Sequence, residues 1–124
     1  MTQPTKPPGL SGTWSYSANA TSGDTIACAV TDATLMLTQI DTTFSGTYHN
    51  AQVSCTVNSA AHAATQAGKA VNGILSGQNV SFDFDSAYVT NLGTVTPDST
   101  AMSGTVAVRL FGTAMTGTWS AKKS

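Results

Sequence analysis

The chain repeats a five-residue pattern of an apolar residue, a small polar residue, glycine, usually threonine, and a larger apolar or aromatic residue. It occurs at Leu10–Trp14, Phe44–Tyr48, Val71–Leu75, Met102–Val106 and Met115–Trp119. Successive side chains of a β-strand point to opposite faces, so the apolar ends and the glycine share one face. The pattern is typical of half-buried antiparallel strands. A glycine on the inner face also lets a strand coil sharply, as closure into a small barrel requires.

The alternation predicts eight strands. The first runs from about Leu10 to Ala18, the sixth from about Tyr88 to Val95, and the last hairpin pairs residues 101–111 with 114–122. A barrel of eight strands has an interior filled by side chains or by one small ligand. The predicted fold class is therefore all-β, an eight-stranded antiparallel up-and-down β-barrel.

Two cysteines constrain the hairpin formed by the second and third strands. If Gln39 lies opposite Phe44, the same register places Cys28 opposite Cys55. Directly opposed antiparallel residues are close enough for a disulfide. We predict a Cys28–Cys55 disulfide that contributes about 3 kcal/mol, with two buried free thiols as the alternative.

The sequence of the same hairpin leaves open which face of the strands carries the disulfide. Cys28 and Leu35 have opposite parity, so unbroken strands would place them on opposite faces. Either a matched kink near residues 31–33 and 50–52 restores the face, or the disulfide lies outside the barrel.

Two further hairpins follow from the pattern. A turn at Gln78-Asn79 places Leu75 opposite Phe82, and the last hairpin places Val106 opposite Trp119. Between the third strand and the first of these hairpins, the alanine-rich segment Ser59–Ala70 interrupts the alternation. We expect it to form a short helix or a loop over one barrel end, acting either as a lid or as a passive connection.

Composition limits the possible functions. The chain has 124 residues, of which 9% are charged, with a formal net charge of -1. Nucleic-acid binding needs a clustered positive field that is absent here. No apolar run reaches the roughly 20 residues of a transmembrane helix.

The N-terminal residues differ from the rest in composition. We interpret residues 1–9 as a flexible Pro/Thr-rich tether and residues 10–124 as a single barrel domain. Such a tether follows the leader of many exported or lipid-anchored proteins, and a disulfide needs an oxidising compartment. The expected location is the periplasm, the cell surface or the extracellular space.

Three motifs carry a family resemblance. The Gly-Thr-Trp of the first strand, Phe44-Ser-Gly-Thr-Tyr48 and the Gly-Thr-Trp that ends at Trp119 resemble the small barrels of the avidin and lipocalin (calycin-like) group, in particular exported bacterial lipocalin-like domains. The resemblance covers roughly Leu10 to Lys122 and implies a barrel that holds a ligand. The avidin set of biotin-lining tryptophans has no counterpart, because only Trp14 and Trp119 are present.

A second resemblance is to bacterial periplasmic inhibitors of secreted metalloproteases. These are small eight-stranded barrels with one disulfide and an N-terminal arm that enters the protease cleft. The single cysteine pair and the extended residues before Leu10 carry this likeness. It implies a protein partner, engaged through the arm.

Candidate ligand-binding residues are those whose parity points them into the barrel. Some could donate or accept hydrogen bonds and others could form apolar walls; together they are Trp14, Tyr16, Gln39, Phe44, Tyr48, Phe82, Phe84 and Trp119. The alternative is that these aromatic side chains simply fill the core.

Other polar residues give only weak indications of a catalytic or metal-binding site. Asp83 and Asp85 share a strand face, but Phe82 and Phe84 occupy the core face, so we expect both carboxylates to point to solvent. His49 and His62 lack metal-ligand spacing. Arg109 should also point outward. We therefore expect no catalytic residue, no metal and no cofactor.

The sequence thus favours a non-catalytic binding module for a small hydrophobic or amphipathic ligand. One alternative is a protein-interaction module, such as a protease inhibitor acting through the N-terminal arm. A second is a barrel enzyme that shapes a substrate for cyclisation or isomerisation. Because an outer face of Ser and Thr offers no large apolar patch, we expect a monomer, with a dimer as the alternative.

Overall fold

The computed structural model describes residues 9–23, 25–85, 88–110 and 113–124, and these form a closed antiparallel barrel. Each strand pairs with its neighbours in sequence order, and β1 closes the barrel against β8. The strands are β1 (Gly12–Ser22), β2 (Ile26–Ile40), β3 (Thr43–Val57), β4 (Ala60–Ser76), β5 (Asn79–Phe84), β6 (Tyr88–Val95), β7 (Ala101–Leu110) and β8 (Thr113–Lys123). The predicted fold class is confirmed. Residues 1–8 of the predicted tether 1–9, and the predicted strand end at Phe111, lie outside the described residues.

The predicted register of the β2–β3 hairpin is confirmed along its whole length. Gln39 pairs with Phe44, and Cys28 pairs with Cys55. The two cysteines form a disulfide with a Cα separation of 4.0 Å. It therefore joins two long neighbouring strands, far from the turn that connects them.

A matched kink places the disulfide inside the barrel. Asp32 on β2 and Asn50 on β3 have left-handed backbone conformations, with φ of 58° and 57°. Each lies at a register shift, Asp32 toward β1 and Asn50 toward β4, and each adds one residue that changes the side of the following ones. Consequently Cys28 and Leu35 are both buried despite their opposite parity. The first of the two predicted alternatives is confirmed.

The prediction of a helix or loop at Ser59–Ala70 is wrong. Apart from Ser59, this segment belongs to β4, and it pairs with β3 from Ala60 opposite Val57 to Gln66 opposite Ala51. The connection is a two-residue turn in which Asn58 and Ser59 both have positive φ, as a tight hairpin requires. Alanine has a weak preference for strands, but pairing along a neighbouring strand decides the conformation.

Two other predicted registers are wrong by two residues. Leu75 pairs with Val80 instead of Phe82, because the turn is at Gly77-Gln78, where Gly77 has a φ of 61°. Val106 pairs with Gly117 instead of Trp119. A shift of two residues keeps every side chain on its predicted face, so the core is little affected.

One instance of the repeated pattern is broken. Asn72 has a φ of 57° and lies at a register shift between β4 and β5. The bulge places Ala70 and Leu75 in the core, whereas Val71 pairs with Asp83 on the outer side.

The barrel has a closed end and an open end. At the closed end Leu10 is fully buried, and its backbone N–H donates to Oε1 of Gln39 at 2.7 Å. The Leu10 carbonyl accepts a hydrogen bond from Nε1 of Trp14 at 2.9 Å. At the open end, marked by the Asn58-Ser59 turn, β4 extends past the end of the much shorter β5. The open end therefore has a high wall, formed by β2, β3 and β4, and a low wall on the side of β5.

Candidate functional site

A cavity of about 100 Å³ lies inside the barrel on the side of the open end. Its lining is apolar except for two tyrosines and Gln66; it consists of Tyr16, Ala18, Ala20, Cys28, Val30, Ala33, Tyr48, Ala51, Val53, Gln66, Phe84, Val89, Val106 and Val108. Gln66 is exposed and Val30 and Val53 are only half-buried, so the cavity reaches the surface along the high wall. No charged side chain lines it.

Three aromatic rings form the floor of the cavity. The ring centroids of Tyr48 and Phe84 are 4.6 Å apart, and those of Tyr16 and Phe84 are 5.2 Å apart with the rings nearly perpendicular. The edge-to-face contact of Tyr16 and Phe84 is favourable at this distance. The rings of Tyr48 and Phe84 are tilted by 56°. The floor is therefore a continuous aromatic surface.

Below this floor the interior is filled. Phe82 packs against Phe44, Phe84 and Trp119, with centroid separations of 5.4–5.6 Å. Trp119 also stacks on Tyr16 at 5.8 Å. The lower part of the barrel thus has no room for a ligand, and the free space lies above the rings.

A buried hydrogen bond holds Tyr16 in place. Its hydroxyl donates to Oδ1 of Asn91 at 2.5 Å, and Asn91, which is fully buried, donates to the Phe82 carbonyl at 3.4 Å. Burial raises the pKa of Tyr16 well above its usual value, because the ionised form would lose its hydration. Tyr16 therefore remains a neutral donor whose hydroxyl is already engaged.

Paired glycines explain how Trp119 reaches its partner. Trp119 pairs with Gly104 on β7, which pairs with Gly93 on β6. The Trp119 Nε1 donates to the Leu92 carbonyl at 3.1 Å, two strands away. A Cβ atom at Gly104 would overlap this same carbonyl oxygen. The close approach of β6 and β7 therefore depends on glycine.

Tyr48 differs from Tyr16 in its hydrogen bonding. Its side chain is buried and lines the cavity, yet its hydroxyl makes no hydrogen bond to the described residues. Burial raises the pKa of Tyr48, and the negative charge of Asp85 raises it further. The Tyr48 hydroxyl is therefore a neutral polar group, able to donate to a bound molecule.

The predicted ligand-binding residues fall into three places. The cavity is lined by Tyr16, Tyr48 and Phe84. The packed layer below it is formed by Phe44, Phe82 and Trp119. The closed end contains Trp14 and Gln39, which both contact Leu10. Core filling and a cavity therefore coexist in one barrel. That the eight residues contact a ligand remains a prediction.

Sequence reasoning missed the residues that create the space. Ala18, Ala20, Ala33 and Ala51 point inward and are small, so they leave the volume that larger side chains would fill. Continuing the parity of Trp14 and Tyr16 along β1 would have identified the first two of them. Asn91 has the same parity as the buried Val95 on β6, so its inward position could have been predicted in the same way.

The acidic pair lies outside the barrel, as predicted. Asp85 is exposed and accepts a hydrogen bond from the Lys69 backbone N–H at 2.7 Å. Asp83 accepts one from the Asn72 side chain at 3.0 Å. Arg109 is exposed, also as predicted. Across the described part of the chain, no group of three or more His, Cys, Asp or Glu side chains could hold a metal ion.

None of the described residues belongs to a helix long and apolar enough to cross a membrane. Comparisons with protein-family models, with curated proteins and with solved structures found no match. The closed eight-stranded antiparallel barrel is consistent with a calycin-like fold. Its relation to lipocalins and avidins rests on the resemblance of sequence motifs alone.

Proposed function

We propose that the protein is a non-catalytic binding module, in which the cavity above the aromatic floor holds the apolar part of a small hydrophobic or amphipathic molecule. The observation that carries the proposal is a cavity of about 100 Å³ with an almost wholly apolar lining, reached from the open end. Such concave apolar sites with few polar groups are the usual form of ligand pockets.

The cavity volume limits the ligand. An engineered cavity of roughly 150 Å³ binds benzene, and ligand pockets that enclose a whole drug-sized molecule have about 300–1,000 Å³. The buried portion is therefore a short alkyl group or a single small ring. The rest of an amphipathic molecule would lie along the high wall, against half-buried Val30 and Val53.

The polar contacts limit the ligand further. The hydroxyl of Tyr16 and the indole N–H of Trp119 already have acceptors. Among the polar groups of the lining this leaves the Tyr48 hydroxyl and the Gln66 amide, and because Gln66 is exposed, the buried Tyr48 is the residue that would donate to an oxygen or nitrogen of the ligand. The apolar lining disfavours a charge in the cavity, because burying an unpaired ion is costly. The ligand is thus a neutral acceptor attached to an apolar group. The Cys28–Cys55 disulfide supports the accompanying proposal of an exported location.

A titration followed by NMR tests the proposal. The ¹³C-methyl shifts of Ala18, Ala51 and Val106 should move in a saturable manner with phenol, cyclohexanol or short-chain esters. In the variant Ala18→Leu the added carbons occupy the cavity, so binding should be lost while the fold persists. Ala27→Leu makes the same change at an exposed position of β2 and should bind normally.

The contact to Tyr48 has its own test. Tyr48→Phe should weaken the binding of cyclohexanol and leave that of cyclohexane unchanged, because only the hydrogen bond is removed. If none of these molecules shifts the cavity methyl groups, or if Ala18→Leu binds as well as the unaltered protein, the proposal is wrong.

A further inference from the structure

One edge of β4 has no strand partner among the described residues at Ala61, Ala63, Thr65 and Ala67. On one side Ala60–Gln66 pair with β3. On the other side, pairing with β5 covers only Ala70 to Ser76, and the Asp85 N–H adds one hydrogen bond to the Lys69 carbonyl at 3.0 Å. No strand among the described residues pairs with this side of residues 60–68. At about 3.4 Å per residue, the open edge is about 30 Å long.

The contacts of Lys69 show which backbone groups face the open edge. Both its N–H and its carbonyl are bonded to Asp85, on the side away from β3. Backbone groups of every second residue in a strand point to the same side. The N–H and carbonyl groups of Ala61, Ala63, Thr65 and Ala67 therefore point toward the open edge.

This edge lacks the features that normally prevent strand pairing. Natural edge strands carry charged residues, proline or bulges that block association. Residues 60–68 include no Lys, Arg, Asp, Glu or Pro, and none has a positive φ. The side chains beside the exposed backbone groups are alanines and one threonine, so another strand can approach closely.

We infer that this edge binds a second copy of the chain by antiparallel pairing of the two β4 strands about a twofold axis at Ala64. In this register Ala63 lies opposite Thr65 of the partner subunit, and Ala61 lies opposite Ala67 of the partner subunit. Each pair joins two residues whose backbone groups face the edge, so all four residues on each chain find partners and about eight hydrogen bonds form.

The chemistry of the edge favours a second copy as the occupant. The absence of charge removes the repulsion that identical edges otherwise meet, and the small side chains suit each other across the twofold axis. The expectation of a monomer rested on the absence of an apolar patch on the outer face. Edge pairing needs no such patch, because the contacts are made by the backbone.

Sedimentation velocity of the oxidised protein tests the inference, over concentrations from about 1 µM to about 1 mM. The unaltered chain should form a dimer reversibly. Thr65→Pro removes an edge N–H but no backbone hydrogen bond to β3, and edge strands tolerate proline. The side-chain hydrogen bond from Thr65 Oγ1 to Gln52 Oε1 on β3 is lost in Thr65→Pro and in the matched variant Thr65→Val alike. Thr65→Pro should therefore remain monomeric, whereas Thr65→Val should dimerise normally.

A charge exchange tests the register. Ala63→Lys with Thr65→Lys places like charges opposite each other across the twofold axis and should keep the chain monomeric. Ala63→Lys with Thr65→Glu places opposite charges there and should restore the dimer. At high salt this attraction is screened, so the double variant should dimerise less strongly than at low salt. Both double variants carry new exposed charges, so a general effect of charge would affect them alike.

Amide hydrogen exchange gives a readout that needs no variant. The N–H groups of Ala61, Ala63, Thr65 and Ala67 should become protected as the concentration rises, while those of their β3-bonded neighbours are protected throughout. The inference is overturned if the unaltered chain is monomeric at every concentration. It is also overturned if Thr65→Pro dimerises as strongly as Thr65→Val, or if the Lys/Glu variant associates no better than the Lys/Lys variant.

Discussion

Loss of the buried hydrogen bond between Tyr16 and Asn91 should destabilise the barrel. Tyr16→Phe removes the donor of a hydrogen bond whose acceptor, Asn91, is fully buried. Leaving a buried acceptor unsatisfied costs about 1–3 kcal/mol. Tyr48→Phe is the matched control, since this hydroxyl has no partner among the described residues. We expect the control to change the free energy of unfolding by less than about 0.5 kcal/mol.

A double-mutant cycle separates the hydrogen bond from the loss of an oxygen atom. Asn91→Leu replaces the amide by an apolar side chain of similar size and leaves the Tyr16 hydroxyl without its acceptor. When both residues are changed, neither group is left unsatisfied, and the double variant should be less destabilised than the sum of the single variants by at least about 1 kcal/mol.

Urea unfolding at neutral pH, followed by tryptophan fluorescence, measures these differences. The disulfide must stay oxidised in all four proteins of the cycle. Equal costs for Tyr16→Phe and Tyr48→Phe would refute the reasoning, as would additive effects of Tyr16→Phe and Asn91→Leu.

Three further measurements follow from the structure. Burial raises the pKa of Tyr16, so the neutral side chain contributes stability that is complete below the unfolded pKa of about 10 and is lost as the pH rises above it. Between about pH 9 and pH 11 the free energy of unfolding should therefore fall less in Tyr16→Phe than in the unaltered protein. Parallel pH profiles of the two proteins would contradict this. Reducing the Cys28–Cys55 disulfide, which spans a sequence separation of 27, should lower the free energy of unfolding by about 3.5 kcal/mol. An unchanged urea midpoint after reduction would contradict this prediction. Gly104→Ala forces a Cβ atom against the Leu92 carbonyl and should cost about 1–3 kcal/mol, whereas Gly9→Ala, with no atom within 4 Å of the new Cβ, should be nearly neutral in thermal unfolding.

The strand faces could be predicted because apolar and polar residues alternate with a period of two. The same pattern is unchanged by a slip of two residues, so it could not fix the registers after Leu75 and before Trp119. In the β2–β3 hairpin the register came from the turn that places Gln39 opposite Phe44, and the pairing of Cys28 with Cys55 in the same register supported it independently. The other two hairpins contain no such second constraint.

The alanine-rich half of β4 could not be predicted for a different reason. Local preference describes what a segment does alone, whereas here a long partner strand provides hydrogen bonds to Ala60–Gln66. The position of the cavity could not be predicted from the aromatic residues either. Large aromatic side chains are the usual candidates for ligand contacts, but the space exists where inward positions such as Ala18 and Ala51 are small.

The closed end also determines how the protein can be handled and displayed. The Gly9 carbonyl accepts a hydrogen bond from the Lys123 side chain at 3.0 Å, and the Ser124 N–H donates to the Thr13 carbonyl at 2.9 Å. The first and last described residues are thus neighbours, at the end opposite the cavity. Attachment at Gly9 or Ser124 would orient every molecule with its open end toward the solution. A short peptide joining the two would allow circular permutation, with new termini at the exposed Asn58-Ser59 turn.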